Sequence, residues 1–366
     1  MQTVIPVGDP KAVIRFSAFL AADVAKKAYF ERKFMGTSQN SIIQRLTDLE
    51  GQAGDTITFD LSLQLRKRPV YGDDKAEGKG VELRFATDTI HIDQMRAPID
   101  LGGRMTRKRT IHNLREIGRE RGSEYWAKFL DEMMFVYLSG ARGINEDYIE
   151  DVTWTGTAGN SIQAPDTSHI LYGGDATSKA TIASDDVMSK AVIEKADVKA
   201  QMMRSTDTEN ATMRPSMVEG EGRYVLVMSP FQSHQLRNAS SSDWVDFQKA
   251  AAAAEGKSNP LFKGGLGMIK NTVLHEHESV IRFSDYGTGS PGVLAAARAL
   301  FLGRQAGICA FGMAGGTRFQ WNEEPTDHKN SVEICAGTII GVKKTRFKSR
   351  DFGVLAIDTY APDPNA

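Results

Sequence analysis

The chain has 366 residues, 41% of them hydrophobic and 25% charged, with 45 Lys and Arg against 46 Asp and Glu and a formal net charge of −1. This is the composition of a folded chain with room for two or three domains, and it excludes disorder over the whole length. It also lacks the basic excess of a protein that grips nucleic acid along its entire surface.

The opening Met1–Pro10 segment has no basic region followed by an apolar run, so no signal peptide is expected. No stretch approaches the ~18 apolar residues of a membrane span, and manufacture in a cytoplasm is expected. Residues 10–35 read as an amphipathic helix through Val13, Ile14, Phe16, Leu20, Val24 and Ala28, with Pro10 in its first turn. Few apolar residues lie nearby in sequence, so this helix should pack on something distant.

The clearest strand spans 55–65, where Ile57, Phe59, Leu61, Leu63 and Leu65 alternate with polar residues. A return strand is expected at Val81, Leu83 and Phe85. Its phase slips by one at Ile90 and Ile92, which predicts a β-bulge between Phe85 and Ile90. Residues 54–95 thus form a long hairpin with a polar tip at 66–80. A lone ribbon is marginal in water, and a long apolar stripe is a poor solvent face. The hairpin is therefore expected to lie on a neighbouring subunit. The tip residues Arg66, Lys67, Arg68, Tyr71, Asp73, Asp74, Lys75, Glu77 and Lys79 are the candidates for that contact.

A helix is expected from about Thr106 to Ser139, closed by Gly140 and Gly143, with Gly118 and Gly122 as kink points. Its apolar face should include Ile111, Leu114, Ile117, Tyr125, Trp126 and Phe129. Strand and loop follow to 183. A helix from Ser184, with Asp185 and Asp186 at its N-terminus, should run to about Arg204. Then come a buried strand at Arg223–Met228, a helix from Pro230 to about Arg237, and a helix at Trp244–Ala254. A strand-like stretch at Lys270–Phe283 and a helix at Ala295–Leu302 follow, before a β-rich tail centred on Thr338–Val342 and Val354–Ile357. The class is α+β without βαβ regularity.

Chemistry-bearing patterns are sparse. His275 and His277 share a face if 275–278 is a strand, and two imidazoles can begin a metal site. No third ligand is near and HExxH spacing is absent, so a polar strand is the preferred reading; a metal-dependent enzyme using His275 and His277 is the rival. Asp327-His328 has no obvious partner. Cys309 and Cys335 sit among apolar residues with no CxxC, which favours free thiols, although a disulfide between them stays open. The glycine runs at 264–267 and 287–292 lack the spacing of a dinucleotide or phosphate loop, and GxSxG is absent. No cofactor, metal or catalytic set is expected.

Two basic clusters remain. Arg104, Arg107, Lys108, Arg109, Arg115, Arg119 and Arg121 are interleaved with Glu116, Glu120 and Glu124, which predicts ion pairs on the helix surface. Lys343, Lys344, Arg346, Lys348 and Arg350 form the second. Arg107, Lys108, Arg109, Lys343, Lys344 and Arg346 are the candidates to face DNA, and a free DNA-binding protein is a third reading.

The order of arm, long hairpin, long helix, α+β middle and β-rich tail closely resembles the major capsid proteins of tailed bacteriophages. The chain is similar to the family typified by the podovirus N-four. The motifs are Ala53-Gly-Asp-Thr-Ile-Thr-Phe-Asp-Leu61, Ile92-Asp-Gln-Met-Arg96, Gly102-Gly-Arg-Met-Thr106, Gly341-Val-Lys-Lys-Thr-Arg-Phe347 and Asp351-Phe-Gly-Val354. The resemblance implies the Hong-Kong-97-like fold. In it, 1–51 would be an N-terminal arm and 52–99 the E-loop hairpin. Residues 100–183 and 318–366 would form a peripheral domain with the spine helix within 104–141, and 184–317 an axial domain. It further implies a structural subunit and no enzyme, assembling as hexamers and pentamers into an icosahedral or prolate shell around double-stranded DNA. An encapsulin-like compartment is the close alternative. Implied partners are copies of itself, a portal, and scaffolding and decoration proteins. The short segment before the first helix suggests scaffolding by a separate chain, and no crosslink is assumed at Lys67, Lys75 or Lys79. Assembly would occur in the host bacterial cytoplasm, with no membrane involved.

Overall fold

A computed structural model describes residues 10–50, 53–62, 68–83, 85–206, 213–218, 220–239, 265–288, 292–313 and 318–364. Two sheets and one long helix organise the chain. In the first sheet, the 14-residue strand Ser331–Lys344 pairs along one side with Asp93–Gly103. Its other side takes Gln320–Thr326 and then Gly307–Phe311. Ile43–Leu46 extends the sheet parallel to Gly307–Phe311, with Met35–Gly36 outside it.

The second sheet runs in the order Gly267–Ile269, Thr272–Glu276, Glu221–Met228, Leu294–Leu302, Val354–Tyr360 and Ile170–Tyr172. Arg282–Tyr286 pairs with Leu294–Leu302, and Ser216–Val218 with Glu221–Met228. Residues 295–302, expected to be helical, therefore form a central strand. Leu300 and Leu302 enter one apolar core while Ala299 and Phe301 enter the core on the opposite face. A strand covered on both faces is apolar without alternation, so periodicity cannot separate it from a buried helix. Strand partners on both sides override the helix propensity of its alanines.

Both sheets draw strands from either side of residue 318. Val354–Tyr360 belongs to the second sheet with 294–302, whereas Gly307–Phe311 belongs to the first.

Among the described residues, six α-helices complete the frame: α1 (Pro10–Lys27), α2 (Tyr29–Lys33), α3 (Arg104–Arg109), α4 (Leu114–Ser139), α5 (Lys190–Thr206) and α6 (Pro230–Ala239). The 26 residues of α4 span about 39 Å at ~1.5 Å per residue. The helix runs unbroken through Gly118 and Gly122. They let the first sheet approach: a Cβ at Gly118 would stand 3.3 Å from Leu101 Cδ2, and one at Gly122 3.3 Å from Ile99 Cδ1. The break instead falls at 110–113, between α3 and α4. Ile111, expected on the apolar face, is 96% exposed at that break. From Phe129 to Ser139 the helix is buried on every side.

The segment expected as the helix 10–35 breaks at Ala28, whose ψ of 129° is extended. The cause lies a hundred residues away. The buried Asp131 of α4 accepts the backbone N–H groups of Tyr29 at 2.7 Å and Phe30 at 3.0 Å, and so caps a new helix. α5 starts at Lys190 and not at Ser184, because Asp186 is drawn into the core, where its Oδ2 accepts the Ala183 N–H. The helix expected at Trp244–Ala254 lies outside the described residues.

One buried fork joins the parts. Arg298 donates from Nε to Asp358 Oδ1 at 2.7 Å and from Nη2 to Asp358 Oδ2 at 2.8 Å. Its Nη1 donates to the Ser139 carbonyl at 2.9 Å, in the last turn of α4. Tyr286 donates its hydroxyl to Asp358 Oδ2 at 2.7 Å. Arg298→Met is expected to cost about 3–5 kcal/mol in chemical denaturation, because it strands the Asp358 carboxylate in the core. Adding Asp358→Leu should recover much of that loss; a double variant as unstable as the single would contradict this account.

A second expectation concerns Asp131. Burial pushes its carboxyl up to about 7, against the pull of the two amides. A carboxyl raised in the fold contributes fully below the ordinary carboxylate range, and that contribution disappears as pH rises through about 7. Thermal unfolding between pH 5 and 8 should show a loss of stability with rising pH that Asp131→Asn lacks. Equal slopes in the two proteins would refute the assignment.

Candidate assembly surfaces

The hairpin forms from Thr56–Ser62 and Phe85–His91, in unbroken register from Thr56↔His91 to Ser62↔Phe85. The predicted bulge is absent. Ala86, Asp88 and Ile90 share the inner phase throughout, Phe85 points outward, and Val81 and Leu83 precede the strand. The apparent slip came from reading exposed tip residues as strand.

The base of the apolar stripe is covered at home, while Val81, Leu83 and Phe85 are exposed and Leu63 and Leu65 lie outside the described residues. Ile57 and Ile90 pack with Leu46, Leu49, Ile308 and Ala310, and Phe59, Leu61 and Ala86 pack with Phe347 and Phe352. A polar clamp holds the base. Asn160 donates from Nδ2 to the His91 carbonyl at 2.7 Å and accepts the His91 N–H at 3.1 Å, so its amide continues the ladder as a strand would. Asp88 accepts from Lys343 Nζ at 2.5 Å and from the Arg346 N–H at 3.2 Å. A Cβ at Gly341 would stand 2.1 Å from the His91 carbonyl oxygen, so only glycine admits the hairpin here. A polar cleft of about 370 Å³ lies beside this base, lined by Asp88, His91, Asn160, Lys343 and Lys348 among others.

What the hairpin leaves exposed is its tip. Residues 68–83 are exposed throughout, with Tyr71 at 69% and Leu83 at 59%. Arg68, Tyr71, Asp73, Asp74, Lys75, Glu77 and Lys79 all lie here, and Lys79 pairs with Asp74 at 3.0 Å in the open. Arg66 and Lys67 lie outside the described residues.

The second basic cluster divides: Lys348 and Arg350 are exposed, while the other three members pair within the chain. Lys344 is 2% exposed, its Nζ 2.7 Å from Asp351 Oδ2, and Arg346 Nε lies 3.0 Å from the same carboxylate. With Lys343 bound to Asp88, all three of these side chains form ion pairs within the subunit. The first cluster divides. Arg115 pairs with Glu323 at 2.7 Å and Arg119 with Asp23 at 3.9 Å, across to other elements, while Arg121 pairs along the helix with Glu124 at 2.6 Å. Arg107 donates to the Asn330 carbonyl at 2.9 Å. Arg104, Lys108 and Arg109 are exposed.

His275 and His277 do not share an open face. His275 is fully buried with its ring 5.3 Å from Phe34, and the His277 ring lies 4.5 Å from Tyr29 and 4.9 Å from Phe135. Burial, then nearby Lys33, hold the His277 imidazole down to about 4. The pair serves as packing under α2. Among the described residues, no cluster of three or more His, Cys, Asp or Glu is placed to hold a metal ion. Cys309 is buried and Cys335 half-buried, both as free thiols.

Sequence reading missed Asn160, Asp88 and Asp131. Each is a single polar residue whose partner is distant in sequence, so local pattern carries no signal for it. Asn160→Ala should leave the fold intact but raise amide hydrogen exchange across 85–91, with a cost of about 1–3 kcal/mol from the unpaired His91 groups. Unchanged exchange there would contradict the clamp.

The family described as "Phage capsid protein" matches residues 4–363. The chain is 28% identical over 359 residues to the major capsid protein of Pseudomonas phage KPP25, covering 91% of each. Among solved structures it is similar to the capsid of Ralstonia phage GP4, at 56% identity, a TM-score of 0.90 and full coverage of both chains. It also shares its fold with the capsid of cyanophage Pam1, at 18% identity, a TM-score of 0.68 and coverage of 92% and 93%. The Hong-Kong-97-like fold expected from the motifs is thus the fold of this chain. With almost its whole length matched, the chain belongs to the phage capsid protein family.

Proposed function

We infer that this protein builds the head shell of a tailed phage as its major capsid subunit. The observation that carries this reading is the end-to-end correspondence with a phage capsid at 56% identity. The subunit acts by assembly, and the tip at 68–83 is left bare for a neighbour. Hexamers and pentamers of the chain close the shell, with each weak contact multiplied over many copies. The arm at 1–51, the hairpin at 52–99, the spine-helix region and the axial region take the roles that the family arrangement gives them. Double-stranded DNA is enclosed without sequence reading. The near-neutral total charge suits a wall that encloses DNA and does not coat it. A portal, and scaffolding and decoration proteins, are the further partners, and assembly takes place in the host cytoplasm.

The purified chain should form rings, sheets or shells in negative-stain electron microscopy; a monomer that persists at high concentration would contradict the reading. Replacing 66–80 by a short turn should leave the thermal transition within a few degrees of wild type and weaken assembly. Normal shells from that variant would show that the tip does not carry a contact.

A further inference from the structure

Charge in this nearly neutral chain is segregated at two surface segments. From Leu101 to Asn113 there is no Asp or Glu, and Arg104, Arg107, Lys108 and Arg109 fall within six positions. From Gly143 to Ser178 there is no Lys or Arg, and Glu146, Asp147, Glu150 and Asp151 fall within six positions. Among the described residues, none of these eight side chains forms an ion pair with another. The cations nearest the acidic loop serve its backbone instead. Lys128 donates to the Asp147 carbonyl at 2.6 Å, and Arg142 to the Glu150 carbonyl. Crowding is visible in the loop: burial, then the charge of Asp151, raises the Glu150 carboxyl above its ordinary range.

Both segments also expose large apolar side chains among the charges. Met105 is 61% and Ile111 96% exposed on the basic side; Ile144 is 44% and Val152 63% exposed on the acidic side. A solvated charged face needs no such residues, whereas a protein interface does. Within one subunit the two segments are anchored at separate places. The basic segment ends at the start of α4, while the loop is tied to Lys128 and Glu132, about 21 Å along the helix at ~1.5 Å per residue.

We propose that the basic segment 104–111 of one subunit docks on the acidic loop 144–152 of a second copy of this chain. The proposal rests on the shell-building reading and specifies a contact for it. Matching sign, matching apolar content and the absence of internal pairs select this occupant. Phosphate would satisfy the cations but offers no apolar surface to Met105 and Ile111. The contact joins two different patches, so each subunit presents its basic segment to one neighbour and its loop to another, and such contacts propagate into rings.

The test is a charge exchange on the full chain. One variant carries Lys108→Glu and Arg109→Glu, a second Asp147→Lys and Asp151→Lys, and a third all four. All four side chains are exposed, so circular dichroism and thermal unfolding should match wild type. Each double variant should raise the subunit concentration needed for shells by about tenfold or more, read by sedimentation and electron microscopy, because the loss repeats in every subunit. The quadruple variant should return to within about threefold of wild type, since exchanged charges still attract. Normal assembly of both double variants, or no recovery in the quadruple, overturns the contact. So does a basic-segment variant that assembles normally but fails to retain DNA, which would assign the segment to phosphate. If wild type itself forms no shells, the shell-building reading fails first, and that result is seen before any variant is compared.

Discussion

The fork of Arg298 on Asp358 fixes how the long helix meets the central sheet. Arg298 sits on Leu294–Leu302, Asp358 on its sheet neighbour Val354–Tyr360, and the third donor reaches the carbonyl end of α4. A cation is favourable at that end of a helix, where carbonyls lack intrahelical partners. The net stability gained from such a buried pair is small, because desolvation offsets most of the Coulomb attraction. What it supplies is position. If α4 slid by one turn, Arg298 would lose the Ser139 carbonyl and the fork would be left half satisfied. Everything attached to α4 inherits that placement: α1 and α2 through Asp131, the first sheet through Gly118 and Gly122, and the loop 144–152 through Lys128 and Glu132.

The placement explains the division between what is buried and what is bare. The hairpin is not a free arm. Its paired strands sit on the first sheet and the tail, held by Asn160, Asp88 and the glycine at 341. Among the described residues of the hairpin, the stretch 68–83 is exposed throughout. An anchored base with an exposed tip aims the tip in a fixed direction, as a repeating contact requires. The basic segment is likewise held at Asn330, and the acidic loop at α4.

Much of this was legible in the sequence, for identifiable reasons. Thr56–Ser62 alternates because one face is covered, and α4 ends at Gly140 because a left-handed residue is needed there, with φ of 70°. Glu221–Met228 and Ser331–Lys344 stood out by apolar and β-branched content. The failures share a cause. Residues 295–302 read as helix in sequence because burial on both faces erases alternation. Ala28 was read as mid-helix because the cap that breaks it comes from Asp131. Lys344 and Arg346 read as a surface cluster because their partner Asp351 becomes meaningful only once the chain turns back. Local pattern carries the elements, and single polar contacts between distant residues carry the joints.

Hydrogen exchange compared between free subunits and assembled shells tests the division of labour most directly. The account predicts new protection at 68–83, 104–111 and 144–152, with little change at 85–91 and 114–139, which are satisfied within the subunit. Protection gained at 85–91 while 68–83 stays unprotected would contradict it.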